Sequence, residues 1–265
     1  MPSQPARGIA QPKAPNALLM LMEGRAPWEL AAMLAATPLL NRLPMGDGHP
    51  VLVFPGLSAP DFTTLPLRNF LRARGYEPCA WEQGFNFGPR QGVLERCRDR
   101  ADELFQKHKR PVSLVGWSLG GVYAREVAKQ LPEQTRCVIT LGTPFGGHPR
   151  ANNAWRLYEM VSGQNLDDPE LIAQVRQAPT VPTTSIYSRT DGIVSWQCSL
   201  NDELPHTENV QVHASHFGMG MNPLALYVVA DRLAQKPGEW QRFHLDGKRK
   251  WFFKTTLDAA VRPAA

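Results

Sequence analysis

The run Pro111-Val-Ser-Leu-Val-Gly-Trp-Ser-Leu-Gly-Gly121 constrains this chain more than any other segment. Val112 to Val115 is short and apolar, as a buried strand requires, and Val122 to Gln130 (VYAREVAKQ) reads as a helix. Between them, Gly116-Trp117-Ser118-Leu119-Gly120 fits G-x-S-x-G, which places a serine on a strained strand-to-helix turn with its hydroxyl standing clear. A serine hydroxyl is a weak nucleophile at its own pKa. Such a turn exposes it and sets a helix N-terminus against developing negative charge. Gly116 and Gly120 belong where a Cβ would collide as strand and helix close, and Gly121 lets the helix settle deeper. The bare pattern arises by chance in roughly one chain in ten of this length, so the flanking strand and helix are what give it meaning.

The rest of the chain alternates in the same way. Val51 to Phe54 reads as a buried strand ended by Pro55-Gly56-Leu57. Leu65 to Arg74 reads as a helix closed by Gly75, and Tyr76 to Trp81 as the next strand. Gly92 to His108 places Val93, Leu94, Cys97, Ala101, Leu104 and Phe105 on one side of a helix that leads to the Val112 strand. Cys137 to Gly142, Thr183 to Tyr187 and Val210 to His213 read as further strands, and Pro223 to Gln235 as a helix begun by Asn222-Pro223. This alternation predicts one α/β domain over residues 17–265, with a mostly parallel sheet covered by helices on both faces. Residues 145–180 break the alternation with two short helices, Ala154 to Val161 and Pro169 to Gln177, and are expected to form a cap. Trp240 to Phe253, roughly residues 239–253, is expected to form a β-hairpin around Asp246-Gly247.

Composition narrows the function classes. The formal net charge of +5 is spread among interspersed acids and bases, without the basic face that nucleic acid needs, so no nucleic-acid partner is expected. Cys79, Cys97, Cys137 and Cys198 show no zinc-ligand spacing and are expected to be reduced thiols. Met1 to Asn16 has no apolar core of a signal peptide; it is expected to be disordered and the protein cytoplasmic. Ala17 to Leu40 is strongly apolar, but Glu23, Arg25, Glu29, Pro27 and Pro38 interrupt it, so two short helices split near Pro27 are expected rather than a membrane span. These helices, or the C-terminal hairpin with its Trp, Phe and Lys, are candidates for a peripheral membrane contact, and the hairpin also for a homodimer contact.

A nucleophilic serine needs a base, and the base an orienting acid, which in a strand-turn-helix serine site follow in the order Ser, acid, His. Asp191 stands just beyond the Thr183 strand at a turn helped by Gly192, and His216 just beyond the Val210 strand. Both are then at the carboxyl ends of the sheet. Asp202 is the rival acid; His213 is expected to pack on its strand, and His206 lies in a loop where Asp202, Glu203 and His206 offer an alternative metal site without recognised spacing. Two backbone N–H groups must meet the oxyanion; Leu119 follows the serine, and Leu57 is assigned over Pro55, which has no N–H. Trp117, Phe145, Trp155, Tyr158 and Met219 are candidates for the substrate pocket.

With these residues in place, the chain resembles the α/β-hydrolase superfamily from about Asp47 to Gln235. Gly116-Trp-Ser-Leu-Gly-Gly121 together with Leu141-Gly-Thr-Pro-Phe-Gly-Gly147 looks like its lipase and esterase branch. Many bacterial lipases carry His before the oxyanion-loop glycine and before the serine, where this chain has Pro55 and Trp117; the Trp variant is also seen in esterases of small acyl substrates. The elbow cysteine of polyhydroxyalkanoate synthases is replaced by Ser118. The resemblance implies a carboxylic ester hydrolase working through an acyl-enzyme, with no metal or organic cofactor. Acyl transfer by the same triad and non-catalytic ligand binding are the competing expectations.

Overall fold

The computed structural model describes residues 12–147, 151–162 and 168–256. Seven strands form one sheet in the order β2-β1-β3-β4-β5-β6-β7. They are β1 (Pro50–Phe54), β2 (Glu77–Ala80), β3 (Val112–Trp117), β4 (Thr135–Leu141), β5 (Thr183–Ser188), β6 (Thr207–Val212) and β7 (Lys254–Thr255). All neighbours are parallel except β7, which runs antiparallel to β6.

The continuous apolar runs of β1 and β3 reflect a sheet covered on both faces. Successive side chains alternate between two cores. Val51, Val53, Val115, Ile139 and Val210 face one core with α3 (Leu65–Ala73) and α8 (Pro223–Leu233). Leu52, Phe54, Leu114 and Val138 face the other, with α4 (Val93–His108) and α5 (Leu119–Gln130). The chain runs outward from β1 to β2 and then returns to β3 on the other side, so the connections leaving β1 and β3 diverge. A crevice opens at the carboxyl ends of such a pair.

The N-terminal arm is α1 (Ala17–Leu21), a 3-10 turn (Met22–Arg25) and α2 (Ala26–Leu40), with Pro27 admitted in the first turn of α2 and Pro38 near its end. No helix among the described residues is long and apolar enough to cross a membrane. The arm's outer surface leaves Leu18, Leu21, Trp28, Leu34 and Leu39 exposed. Of the segment expected to be disordered, residues 1–11 lie outside the described residues, while Asn16 caps α1 through Leu19 N–H at 2.9 Å and the Pro15 carbonyl accepts from Asn153. Within the 145–180 insertion, α6 (Trp155–Ser162) and α7 (Pro169–Arg176) are the two expected helices.

The expected hairpin at 239–253 does not form. Asp246-Gly247 is a turn, with Gly247 at φ +49°, but it leads into a short helix, α9 (Arg249–Phe252), and only then into β7. Phe243 and Phe253 are buried edge-to-face, centroids 5.1 Å apart, against Tyr227 of α8. Arg249 also bonds Tyr227 and Asp231 of that helix. An isolated two-stranded ribbon is marginal in water, so the segment gains more by packing on α8 than by pairing with itself.

Candidate active site

Ser118 stands between β3 and α5, at the N-cap of the helix, with φ 52° and ψ −125°, a region L-residues rarely occupy. Its N–H donates to the Leu141 carbonyl at 2.8 Å, and its own carbonyl accepts from Gly121 N–H at 2.9 Å. Close packing of the elbow dictates the glycines. A Cβ on Gly116 would lie 2.3 Å from Gly121 Cα, and one on Gly120 would lie 2.4 Å from the Phe54 carbonyl oxygen.

The loop after β1 comes up against this elbow: a Cβ on Gly56 would stand 3.3 Å from Ser118 Cβ. Buried Asn86 holds the loop, donating its amide to the Pro55 carbonyl at 2.8 Å, while its backbone carbonyl accepts from Ser58 N–H at 2.6 Å. Among the described residues, the Leu57 and Leu119 N–H groups make no backbone hydrogen bond of the kind that ties the neighbouring Ser58 and Gly121 N–H groups. Both residues flank the serine on the wall of one cavity.

Asp191 follows β5 and His216 follows β6; both are buried, and His216 Nδ1 donates to Asp191 Oδ2 at 2.8 Å. Asp191 Oδ1 accepts from the Ile193 and Val194 N–H groups at 2.9 and 2.7 Å, which fixes the carboxylate without using the oxygen given to histidine. Burial pulls the His216 pKa down, but the charge and hydrogen bond of Asp191, joined by the charge of Glu23, outweigh it and hold the imidazole above its ordinary value. The bond to Asp191 occupies Nδ1 and leaves Nε2 as the nitrogen available for proton transfer. Gly142, at φ +56°, lies under the pair, where a Cβ would come within 3.0 Å of Asp191 Oδ2 and 3.1 Å of His216 Nδ1. Trp117 donates its indole N–H to the His216 carbonyl at 2.9 Å.

Two cavities meet at Ser118. One of about 120 Å³ is apolar, walled by Leu57, Leu119, Val122, Phe145, Tyr158 and residues of α7, namely Leu171, Ile172 and Val175. The other, of about 420 Å³, is walled by Gly56, Pro60, Trp117, Ile193, His216 and Phe217.

Of the residues expected to line a substrate pocket, Trp117, Phe145 and Tyr158 border these cavities. Met219 does not: it is fully buried in the core beneath the Asp191–His216 pair, because the 3-10 turn at Met219–Met221 turns it inward. Trp155 lines neither cavity, since the cap presents Tyr158 and the α7 residues instead. The α7 wall was missed, although its apolar Leu171, Ile172 and Val175 follow helical spacing. His213, expected to pack, is exposed just past the end of β6, and Asp202 pairs with Arg176 at 2.8 Å. Among the described residues no three His, Cys, Asp or Glu side chains converge on a metal-sized space.

The model of an alpha/beta hydrolase family matches residues 19–264. The chain belongs to this family. Among solved structures, similar ones include Aspergillus fumigatus lipase B, at TM-score 0.58 and 20% identity over 73% of this chain and 54% of that one. Bacillus licheniformis lipase BlEst2 in mature form follows at TM-score 0.53 and 16% identity, over 73% of this chain and 95% of that one. Paleococcus ferrophilus monoacylglycerol lipase matches at TM-score 0.53 and 12% identity, over 72% and 96%. The chain spans about half the length of the Aspergillus lipase. No curated protein matches the chain. At these identities the likeness is one of fold, and the chemistry of this family member must be argued from its own residues.

Proposed function

We propose that this alpha/beta hydrolase is a serine carboxylic ester hydrolase acting through an acyl-enzyme at Ser118. The observation that carries the reading is the Asp191–His216 pair at 2.8 Å, whose histidine lines one cavity together with Ser118 on its strained turn. In the reaction, His216 Nε2 takes the Ser118 proton as Oγ attacks the ester carbonyl, and Leu57 and Leu119 N–H groups receive the oxyanion. His216 then returns the proton to the leaving alkoxide, and water repeats the cycle on the acyl-enzyme.

Proton return assigns the two cavities. The leaving alcohol must lie beside histidine, and only the larger cavity is walled by His216, so the alcohol portion belongs there. The acyl chain then enters the apolar cavity of about 120 Å³. A dry cavity of about 150 Å³ admits a benzene ring, so this one suits short acyl chains. With p-nitrophenyl esters from acetate to palmitate, turnover is expected to peak at short chains, and a fluorophosphonate should label Ser118 in a peptide mass map. Val175→Trp should fill the cavity and lower kcat/KM for the best chain by about tenfold or more while leaving acetate within about twofold. A uniform fall across the series would refute the assignment of the acyl side.

The pH dependence follows from the raised His216 pKa. The base must be neutral, so kcat/KM is lost as pH falls through a midpoint above the ordinary histidine value of about 6.5. A profile flat down to pH 5, with chemistry rate-limiting, would exclude His216 as the base.

A further inference from the structure

Glu23 lies in the 3-10 turn of the N-terminal arm, 193 residues before His216, and is 5% exposed. Its Oε1 accepts the Gly192 N–H at 2.7 Å and the His216 N–H at 2.9 Å, and its Oε2 accepts the Phe217 N–H at 3.0 Å. One carboxylate therefore joins the turn that carries Asp191 to the loop that carries His216. Bonds of N–H groups to an ionised acceptor are short and strong, and three of them leave the carboxylate little freedom.

The rest of the arm repeats the attachment. Arg25 donates to the Thr190 carbonyl at 2.7 Å and to its hydroxyl at 2.9 Å. Glu29 accepts the Ser215 N–H at 2.7 Å and the Ser215 hydroxyl at 2.8 Å. Residues on both sides of Asp191 and the three at 215–217 are thus held from one short stretch of chain. Two glycines make room for it. A Cβ on Gly192 would come 2.2 Å from the Leu19 carbonyl oxygen, and one on Gly218 would run into the Glu29 carboxylate.

Building on the triad reading above, we propose that Glu23 is a positioning residue, fixing the acid and histidine loops relative to each other so that the Asp191–His216 pair meets Ser118 in register. Its charge acts on the same group: Asp191 and Glu23 face His216 with negative charge, and Arg25 and Glu29 stand behind the two loops. Removing the Glu23 charge takes away one of the influences that raise the His216 pKa.

The test compares Glu23→Gln, Glu23→Asp and Glu23→Ala in the full-length protein, with folding followed by circular dichroism and thermal melting. Glu23→Gln keeps one acceptor oxygen but sets an amide donor against the donors it must hold. It should lower kcat about tenfold to a hundredfold with KM within about threefold, in line with a misplacement on the order of 1 Å. The acid limb of kcat/KM should move to lower pH in Glu23→Gln and Glu23→Ala, and return towards the wild-type midpoint in Glu23→Asp, which keeps the charge. The ¹⁵N titration of the His216 imidazole should show the same order of midpoints without any substrate. Folded Glu23→Ala with unchanged kcat and an unchanged His216 midpoint would overturn the proposal, as would a lowered melting temperature with no change in either. If the wild-type protein neither turns over esters nor reacts with a fluorophosphonate, the hydrolase reading fails, whereas the imidazole titration still decides whether Glu23 acts on His216.

Discussion

Ser118→Ala is expected to abolish ester turnover, lowering kcat by about 10⁵ to 10⁶-fold, as for removal of the nucleophile from a working triad. The fold should survive, because alanine occupies the same backbone conformation and loses only the Oγ at the wall shared by the two cavities. The residual rate, if the Leu57 and Leu119 N–H groups still polarise the carbonyl, should exceed that of water alone by about 10³ to 10⁴-fold. Measured with short-chain p-nitrophenyl esters at matched circular dichroism, a variant retaining a tenth of wild-type activity would exclude Ser118 as nucleophile. Ser118→Gly gives an independent check on the turn. It should be equally inactive yet more stable, because glycine adopts φ 52° without the side-chain clash, a strain worth about 1–3 kcal/mol less the roughly 1 kcal/mol that glycine loses in chain entropy.

The largest expected effect on stability is at Gly116. Its Cβ would meet Gly121 Cα at 2.3 Å, Gly120 O at 2.4 Å and Gly121 N at 2.4 Å, all of them backbone atoms of α5. No side chain can rotate away, so Gly116→Ala must lever the elbow helix off β3 and disturb both the serine and the adjoining core of Leu114, Ala124 and Val127. Overpacking commonly costs 1–3 kcal/mol; a clash that is wholly backbone belongs above that range, at about 3 kcal/mol or more. Urea unfolding should show the midpoint falling accordingly, or the variant should fail to accumulate in soluble form. Gly84→Ala is the control: its Cβ meets nothing within 4 Å, so only the strain of φ +70° is felt there. Equal midpoints for Gly116→Ala and wild type would mean that the elbow is not packed as described.

Much of this fold was legible in the sequence because the relevant signals are local. The elbow needs glycine at fixed offsets from Ser118, and β1, β3 and β4 announce themselves as apolar runs because both their faces are covered. Asp191 and His216 are singled out by chain order and by their places just past strands, and they pair in the fold because a parallel sheet brings the carboxyl ends of its strands to one rim. The C-terminal segment misled because Asp-Gly between aromatic runs is a hairpin signal only when nothing better is within reach; here Tyr227 and Asp231 of α8 offered Phe243, Phe253 and Arg249 more. Met219 misled likewise, since whether a residue beside the His216 loop faces the cavity or the core depends on the turn that follows it.

Sequence alone determined the elbow, the order of the triad candidates and the layered α/β architecture, all of which rest on spacings of a few residues. Only the tertiary structure decided which surface each loop presents. Glu23, Arg25 and Glu29 show this most plainly: along the chain they are charges that interrupt an apolar stretch, and in the fold they grip the Asp191 and His216 loops. A contact across 193 residues leaves no local pattern, because its geometry exists only once the sheet has set where those loops stand.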